Sequence, residues 1–341
     1  MSNKIDLSIA IPTYNRSQKL TKTLDSIIEQ LEDGQTNIEI VISDNCSTDD
    51  TQAVVDNYSK KHPFIKYYKN NVNKGIDYNI FKCTDLAVGE YVHLLSDDDL
   101  LMSGSLSYVL NLIHTNPDVS FFYLNGRGFD VDDESNMVFD GNPVINQPTD
   151  IVFDDKDKFV SFLGTQITFI SAFLLHRETW NKNQDKERFI GTDIYLSYDL
   201  IYLLANSEKY MFVAKDLISV HKDYTAGNYR IFYAFAYQWR RLLLEEAVSI
   251  GFDKKKMRQL FNRSIKGLEG RIKAIKRGNV KSSLNLQALK NIIFSTYDTK
   301  VFWTKLLPAL MKPAIVHKFE LKLKELRKKI KKRFKEECTE T

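Results

Sequence analysis

The chain has 341 residues, 43% of them hydrophobic, with three cysteines and a formal net charge of +4. That length supports one large domain or two. Cys46, Cys83 and Cys338 stand at no metal or redox spacing, which excludes a disulfide framework and reads as reduced thiols. No run of about 20 uncharged apolar residues is present to span a bilayer, and the opening MSNKIDLSIAIPTYN has too short an apolar run, ended by proline, for a signal peptide. The small net charge conceals an asymmetry. Residues 1–228 carry 20 Lys/Arg against 34 Asp/Glu, and residues 229–341 carry 28 against 10.

IDLSIAI (5–11) is a β-branched run ended by Pro12 and predicts a strand. Ser17 is a good N-cap for a helix in which Leu20, Leu24, Ile27, Ile28 and Leu31 recur at helical spacing up to Gly34. IEIVI (38–42) predicts a second strand, 49–61 a helix, 64–68 a strand, and 76–86 a third helix. YVHLL (91–95) is a fourth strand, 105–114 a helix, and VSFFYL (119–124) a fifth strand. Strands that are nearly continuous apolar runs, alternating with helices, predict an α/β fold with a mainly parallel sheet covered on both faces. Residues 126–158 are polar with Gly and Pro and read as an irregular excursion or hairpin.

In such sheets ligands gather beyond the carboxyl ends of the strands. Those positions hold PTYNR (12–16), SDNCSTDD (43–50), KNNVNKG (69–75) and SDDDLL (96–101). The first turn has no glycine, so neither a dinucleotide fingerprint nor a P-loop is present. The three adjacent aspartates, Asp97, Asp98 and Asp99, are hard oxygen ligands suited to Mg²⁺ or Mn²⁺, which would neutralise a diphosphate. The alternative is a cap for the helix beginning near Ser103; a cap explains one aspartate, not three.

Four segments, in order, resemble the GT-A nucleotide-sugar domain of family 2 glycosyltransferases. IAIPTYNRSQKLTKTLDSIIEQ is similar to the family's first strand, P-x-[YF]-N turn and first helix. IEIVISDNCSTDDT resembles its V-[DS]-D-x-S-x-D-x-[ST] segment, NVNKGIDYNI its N-x-G-x-x-x-[AN] stretch, and GEYVHLLSDDDLL the strand leading into its DxD signature. Residues 1–125 carry the resemblance well and 160–225 loosely. It implies a Rossmann-like GT-A domain over 1–225. Tyr14 would stack on a nucleotide base, with Pro12 and Thr13 shaping that wall. Asp44 would accept from a base N–H, which favours a UDP-sugar. Arg16 would reach the diphosphate or pair with an acid. Gly75 would admit the ligand to the backbone or serve a simple turn, with Asn79 or Lys74 lining the site. Asp97 would hold the ribose side and Asp98 the metal, with Asp99 as the alternative ligand. Ser96 stands where many members carry the first Asp, which leaves the register among the three open.

Inverting transfer to a hydroxyl needs a general base, and the family places an Asp or Glu beyond the fifth strand. RFIGTDIYLSYDLIYLLANS (188–207) supplies Asp193 before a helix, with Asp199 as the competitor. His221, after the strand-like FVAKDLISV (212–220), would complete the metal site or sit as a structural histidine. Phe169, Phe173 and Trp180 read as core packing ahead of an acceptor surface. Beyond 225 the chain reads as helical over 226–300, with breaks at Gly251, Gly278 and Asp298. Residues 301–341 form a basic amphipathic helix with Val316, Phe319, Leu323, Leu326, Ile330 and Phe334 in one stripe and Phe302 and Trp303 leading in. That pattern predicts a membrane-surface contact, or packing on a second copy as a homo-oligomer; nucleic acid is disfavoured by the acidic front. Taken together, the resemblance implies a cytoplasmic enzyme peripheral to the membrane. It would move sugar from a nucleotide-sugar to a glycan or lipid-linked acceptor, with Mn²⁺ or Mg²⁺. A nucleotidyltransferase, or a non-catalytic module binding nucleotide-sugar, is the competing reading.

Overall fold

The structure is a computed structural model that describes residues 4–31, 37–131, 137–221, 230–278 and 284–316. The helix end expected at Gly34, Cys338, and the apolar stripe from Phe319 to Phe334 lie outside those residues. The chain divides into two compact units, Met1–Tyr224 with Leu242–Met257, and Thr225–Arg241 with Arg258–Thr341.

The first unit is built on β1 (Leu7–Thr13), β2 (Ile38–Asp44), β3 (Ile65–Lys69) and β4 (Tyr91–Leu94), in the parallel order β3-β2-β1-β4. Between them run α1 (Ser17–Ile28), α2 (Thr51–Lys61) and α3 (Ile76–Leu86). The inner strands β1, β2 and β4 are buried on both faces, as their apolar runs require, while β3 at the edge is largely exposed. Ile9, Ile11, Ile40 and Ile42 have no exposure, and each stabilises the fold by about 1.5–3 kcal/mol through burial. Register sets Thr13 beside Asp44 and Ala10 beside Leu94. The ends of β1, β2 and β4 therefore open on one edge.

After the two-residue β5 (Leu100–Leu101) and α4 (Ser105–Thr115), the strand expected at 119–124 is observed as β6 (Phe121–Val131). It returns as β7 (Met137–Pro143), so the stretch 126–158 contains a hairpin, followed by β8 (Ile151–Phe153) on the far side of β10 (Tyr210–His221). Besides the short β5, a longer strand had no place in the sequence reading. Downstream of α5 (Lys156–Leu163), β9 (Phe173–His176) enters antiparallel between β4 and β6, so only the β3-to-β4 half and the β6–β10 pair are parallel. Phe173 and Trp180, the latter in the short α6 (Arg177–Trp180), are buried in the core. The last helix before β10 is α7 (Tyr195–Ala205).

In the second unit, helices cover Gly267–Arg277 and Leu286–Thr296, and a π-helical turn, Phe302–Leu306, leads into Leu307–Met311. Gly278 caps its helix at φ +81°, a left-handed conformation glycine adopts without steric cost. Among the described residues no helix is long and apolar enough to cross a membrane.

Candidate active site

The PTYNR turn is locked from the neighbouring strand end. Asn15 adopts φ +52°, its side-chain oxygen accepts from the Thr48 N–H at 2.7 Å, and its own N–H donates to Ser47 Oγ at 2.8 Å. This holds Tyr14 outward, 43% exposed, with a face open for stacking. Asp44 lies deeper than the sequence reading placed it. It is fully buried; one oxygen accepts from the Ser47 N–H at 2.8 Å and the other from the Tyr67 hydroxyl at 2.6 Å. Burial, helped by that bond to Asp44, pushes the Tyr67 phenol well above its usual range. Asp44 thus braces the wall from behind.

Asn79 braces the same strand ends. Buried in α3, it accepts from Ser43 Oγ at 2.8 Å and donates to the carbonyls of Ser43 (2.9 Å) and Thr13 (3.2 Å). It bolts the ends of β1 and β2 together. Gly75 precedes α3 at φ +86°, and a Cβ there would meet no atom within 4 Å. The backbone conformation, not a close approach within the chain, is what calls for glycine. Asn45 fastens the same loop, donating to Asn73 Oδ1 and the Gly75 carbonyl and accepting from the Lys74 N–H at 2.9 Å.

The three aspartates part company. Asp97 is 3% exposed; Thr13 Oγ1 donates to one oxygen at 2.7 Å and Arg16 Nη1 to the other at 2.8 Å. Burial raises its pKa, opposed first by the Arg16 charge. Asp98 is the open one. It accepts from Arg16 at 3.0 Å and Ser96 Oγ at 2.6 Å, with Lys19 Nζ at 3.5 Å. Asp99 turns inward, accepting from Ser171 Oγ at 2.5 Å and the His221 N–H at 2.8 Å. Burial pushes its carboxyl up to about 7. Both the Asp97 and Asp99 carboxylates are thus buried and engaged with the protein. Arg16 is the positive charge that a triple aspartate demands, because buried like charges persist only when matched. Helix α1 and the turn after it also grip the segment behind the acidic turn: Thr23 Oγ1 donates to the Asp99 carbonyl at 2.9 Å, and Ser26 Oγ and Gln30 Oε1 accept from the N–H groups of Leu101 and Leu106, each at 3.1 Å.

Asp193 stands half-buried just before α7 at φ +62°, a conformation costing a non-glycine residue about 1 kcal/mol. The loop is held by a residue the sequence reading passed over. Asp77, in the first turn of α3, accepts from the N–H groups of Asp193 (2.8 Å), Gly191 (2.9 Å) and Tyr195 (3.4 Å). Asp77 is 5% exposed; burial raises its pKa against the lowering effect of these bonds. The competitor Asp199 faces the core, 1% exposed. It accepts from Asn183 at 2.6 Å and the Tyr195 hydroxyl at 2.8 Å, and burial lifts it to about 6.

Among the described residues there is no group of three or more side chains already arranged around a metal position. The Asp98 carboxylate, a hard oxygen donor of the kind Mg²⁺ or Mn²⁺ takes, keeps 14% side-chain exposure, and the Nδ1 of His221 is buried without a hydrogen-bond partner.

Residues 8–177 match the family described as Glycosyl transferase family 2. The chain belongs to that family. Among its relatives, the abequosyltransferase RfbV of Salmonella typhimurium is 28% identical over 214 residues, 58% of this chain and 60% of that protein. The GalNAc(5)-diNAcBac-PP-undecaprenol beta-1,3-glucosyltransferase of Campylobacter jejuni is 43% identical over 105 residues, 30% of this chain and 33% of that protein. The chain thus matches less than two thirds of the length of either. The structure of S. aureus TarS 1-349 in complex with UDP superposes with a TM-score of 0.63 at 17% identity, covering 86% of this chain and 81% of that one. That likeness is one of fold, and the family 2 domain here is a GT-A domain.

Proposed function

We propose that this family 2 protein transfers a sugar from a nucleotide-sugar, with UDP as the favoured nucleotide, to a hydroxyl of a glycan or lipid-linked acceptor, with inversion, in bacterial polysaccharide assembly. The observation that carries the reading is the interlock at one sheet edge. Four distant segments meet through the Thr13–Asp97, Arg16–Asp98, Asn79–Thr13 and Asn45–Gly75 contacts. An α3 residue, Asp77, then ties in the Asp193 loop. UDP is supported by Tyr14, whose ring stands exposed at the end of β1, and by the TarS neighbour, whose structure contains UDP.

In this mechanism Tyr14 stacks on the base and Asp193 takes the proton from the acceptor hydroxyl. The freed oxygen bonds to the anomeric carbon from the face opposite the diphosphate, and the bond to the diphosphate oxygen breaks, so the nucleoside diphosphate leaves with that electron pair. Arg16, beside Asp97 and Asp98, brings positive charge toward the leaving group. Asp98 and His221 would hold Mn²⁺ or Mg²⁺, which as a Lewis acid supplies further charge stabilisation there. The basic segment 301–341 is read as facing the membrane where a lipid-linked acceptor would lie.

Calorimetric titration of UDP, with Mn²⁺ and then with chelator, tests the donor site: metal-dependent binding supports it, and no binding of UDP in either condition refutes UDP as donor. Asp193→Asn then separates binding from catalysis. UDP affinity is expected to hold while sugar transfer falls by at least about 100-fold; full transfer by this variant would remove Asp193 as the base.

A further inference from the structure

The helix Leu286–Thr296 buries a mixed face of Ala288, Asn291, Ile292, Ser295 and Thr296 and leaves large apolar side chains outside: Leu286 and Phe294 are 69% and 68% exposed and Ile293 is exposed beside them. Tyr297, at the helix end, is 54% exposed. At 3.6 residues per turn, positions 286, 290, 293, 294 and 297 fall within about 100° of arc and form one stripe. Trp303 extends it: its indole N–H donates to the Tyr297 carbonyl at 2.9 Å, and the ring is 61% exposed. A surface helix ordinarily turns its polar side to water, and a contiguous apolar patch marks a place of interaction.

The surrounding charge narrows the partner. Residues 284–316 contain four lysines and one carboxylate. That carboxylate, Asp298, is matched by Arg240 at 2.8 Å and Arg258 at 2.9 Å, which hold it down to about 2. Lys290 lies exposed within the stripe, and Lys300 and Lys305 are exposed beyond its end. Aliphatic and aromatic side chains fringed by lysines, with Tyr and Trp at the margin, fit the interfacial zone of a bilayer. There the rings sit at head-group depth and lysine stems reach anionic lipid. A second copy meeting the same stripe across a twofold axis would bring Lys290 toward its own counterpart, which disfavours that partner.

We propose that the stripe Leu286–Ile293–Phe294–Tyr297–Trp303 docks on an anionic lipid surface, extending the membrane contact read for 301–341 back onto the helix Leu286–Thr296. The proposal does not depend on the transferase reading, since its readout needs no turnover.

The full chain is mixed with phosphatidylcholine vesicles with and without phosphatidylglycerol and sedimented. Binding is expected only with the anionic lipid. It is expected to weaken about tenfold in Phe294→Ser, the equivalent of losing burial of one large apolar side chain, and further in Phe294→Ser/Trp303→Ser. Lys290→Glu should weaken it without affecting folding. Phe294 is exposed, so the single variant stays informative if the double variant folds poorly. Unchanged binding by Phe294→Ser would overturn the proposal, because the basic tail would then account for all of it. A parent chain that dimerises without vesicles, becomes monomeric in Phe294→Ser and ignores lipid would overturn it in favour of a second copy.

Discussion

Replacing Asp77 by alanine removes both oxygens that accept the three hydrogen bonds holding the 191–195 loop. Hydrogen bonds to a charged group contribute about 1.5–3 kcal/mol each, and the Tyr195 bond, at 3.4 Å, less. Against them stands the left-handed Asp193, about 1 kcal/mol uphill, together with the cost of burying the carboxylate near Asp193. A net hold of roughly 1.5–3 kcal/mol on the loop remains, so its loss would reduce the held conformer, and with it kcat, by about 10- to 100-fold. Donor binding uses Tyr14 and the acidic turn, which Asp77 does not touch, so UDP affinity and donor KM should change less than threefold. Initial rates of UDP release from a UDP-sugar, beside UDP calorimetry on the same preparation, read the two quantities separately. If Asp77→Ala keeps kcat within twofold while remaining folded, the loop needs no such hold and the assignment of Asp193 weakens with it. If KM rises and kcat does not fall, Asp77 serves donor binding and the positioning argument fails.

Tyr14→Ala should weaken UDP binding about tenfold, the scale of one stacked base, with little change in thermal stability; unchanged affinity would remove Tyr14 from the base site. Arg16→Ala leaves buried Asp97 without its charge partner and should destabilise the fold by about 1–3 kcal/mol by chemical denaturation, less than a fully buried pair because the arginine is partly exposed. Asp199 has its pKa lifted by burial to about 6. Its native form therefore binds the proton more tightly than the unfolded chain, and its contribution is fully present below about pH 4 and lost as pH rises through about 6. Asp199→Asn should remove roughly 2 kcal/mol of the stability change between pH 4 and 7, and a parallel profile for parent and variant would refute it.

Apart from the two-residue β5, the strands and helices through β6 are legible in the sequence because each is a local pattern, an apolar run or a helical spacing closed by Pro, Gly or Ser. FLLH, the β9 strand, is four residues in a long apolar passage. Its antiparallel place between β4 and β6 depends on partners that no local pattern names. At the site, the residue types were readable but not their directions. The triplet signals charge to be neutralised; whether metal, Arg16 or Ser171 does it is a tertiary fact. Ser171 lies inside ITFISAFLL, where one hydroxyl looks incidental, and Asp77 occupies an unspecified position of the glycine motif, 116 residues from the amide of Asp193 that it holds. Asp44 and Asn79 carry the right chemistry, yet their side chains face strand ends. Burial decided what spacing left open.

The polar rungs from α1 and the turn after it to the segment behind the acidic turn bear on how this site can be moved or varied. Thr23, Ser26 and Gln30 each hold backbone of residues 99–106, and α1 begins beside Arg16, which grips the turn from the front. A transplanted SDDDLL would arrive in a host without these grips. The smallest exchangeable piece is the block from β1 through the start of α4, and chimaeras joined inside it should lose order in the turn even where every aspartate is kept.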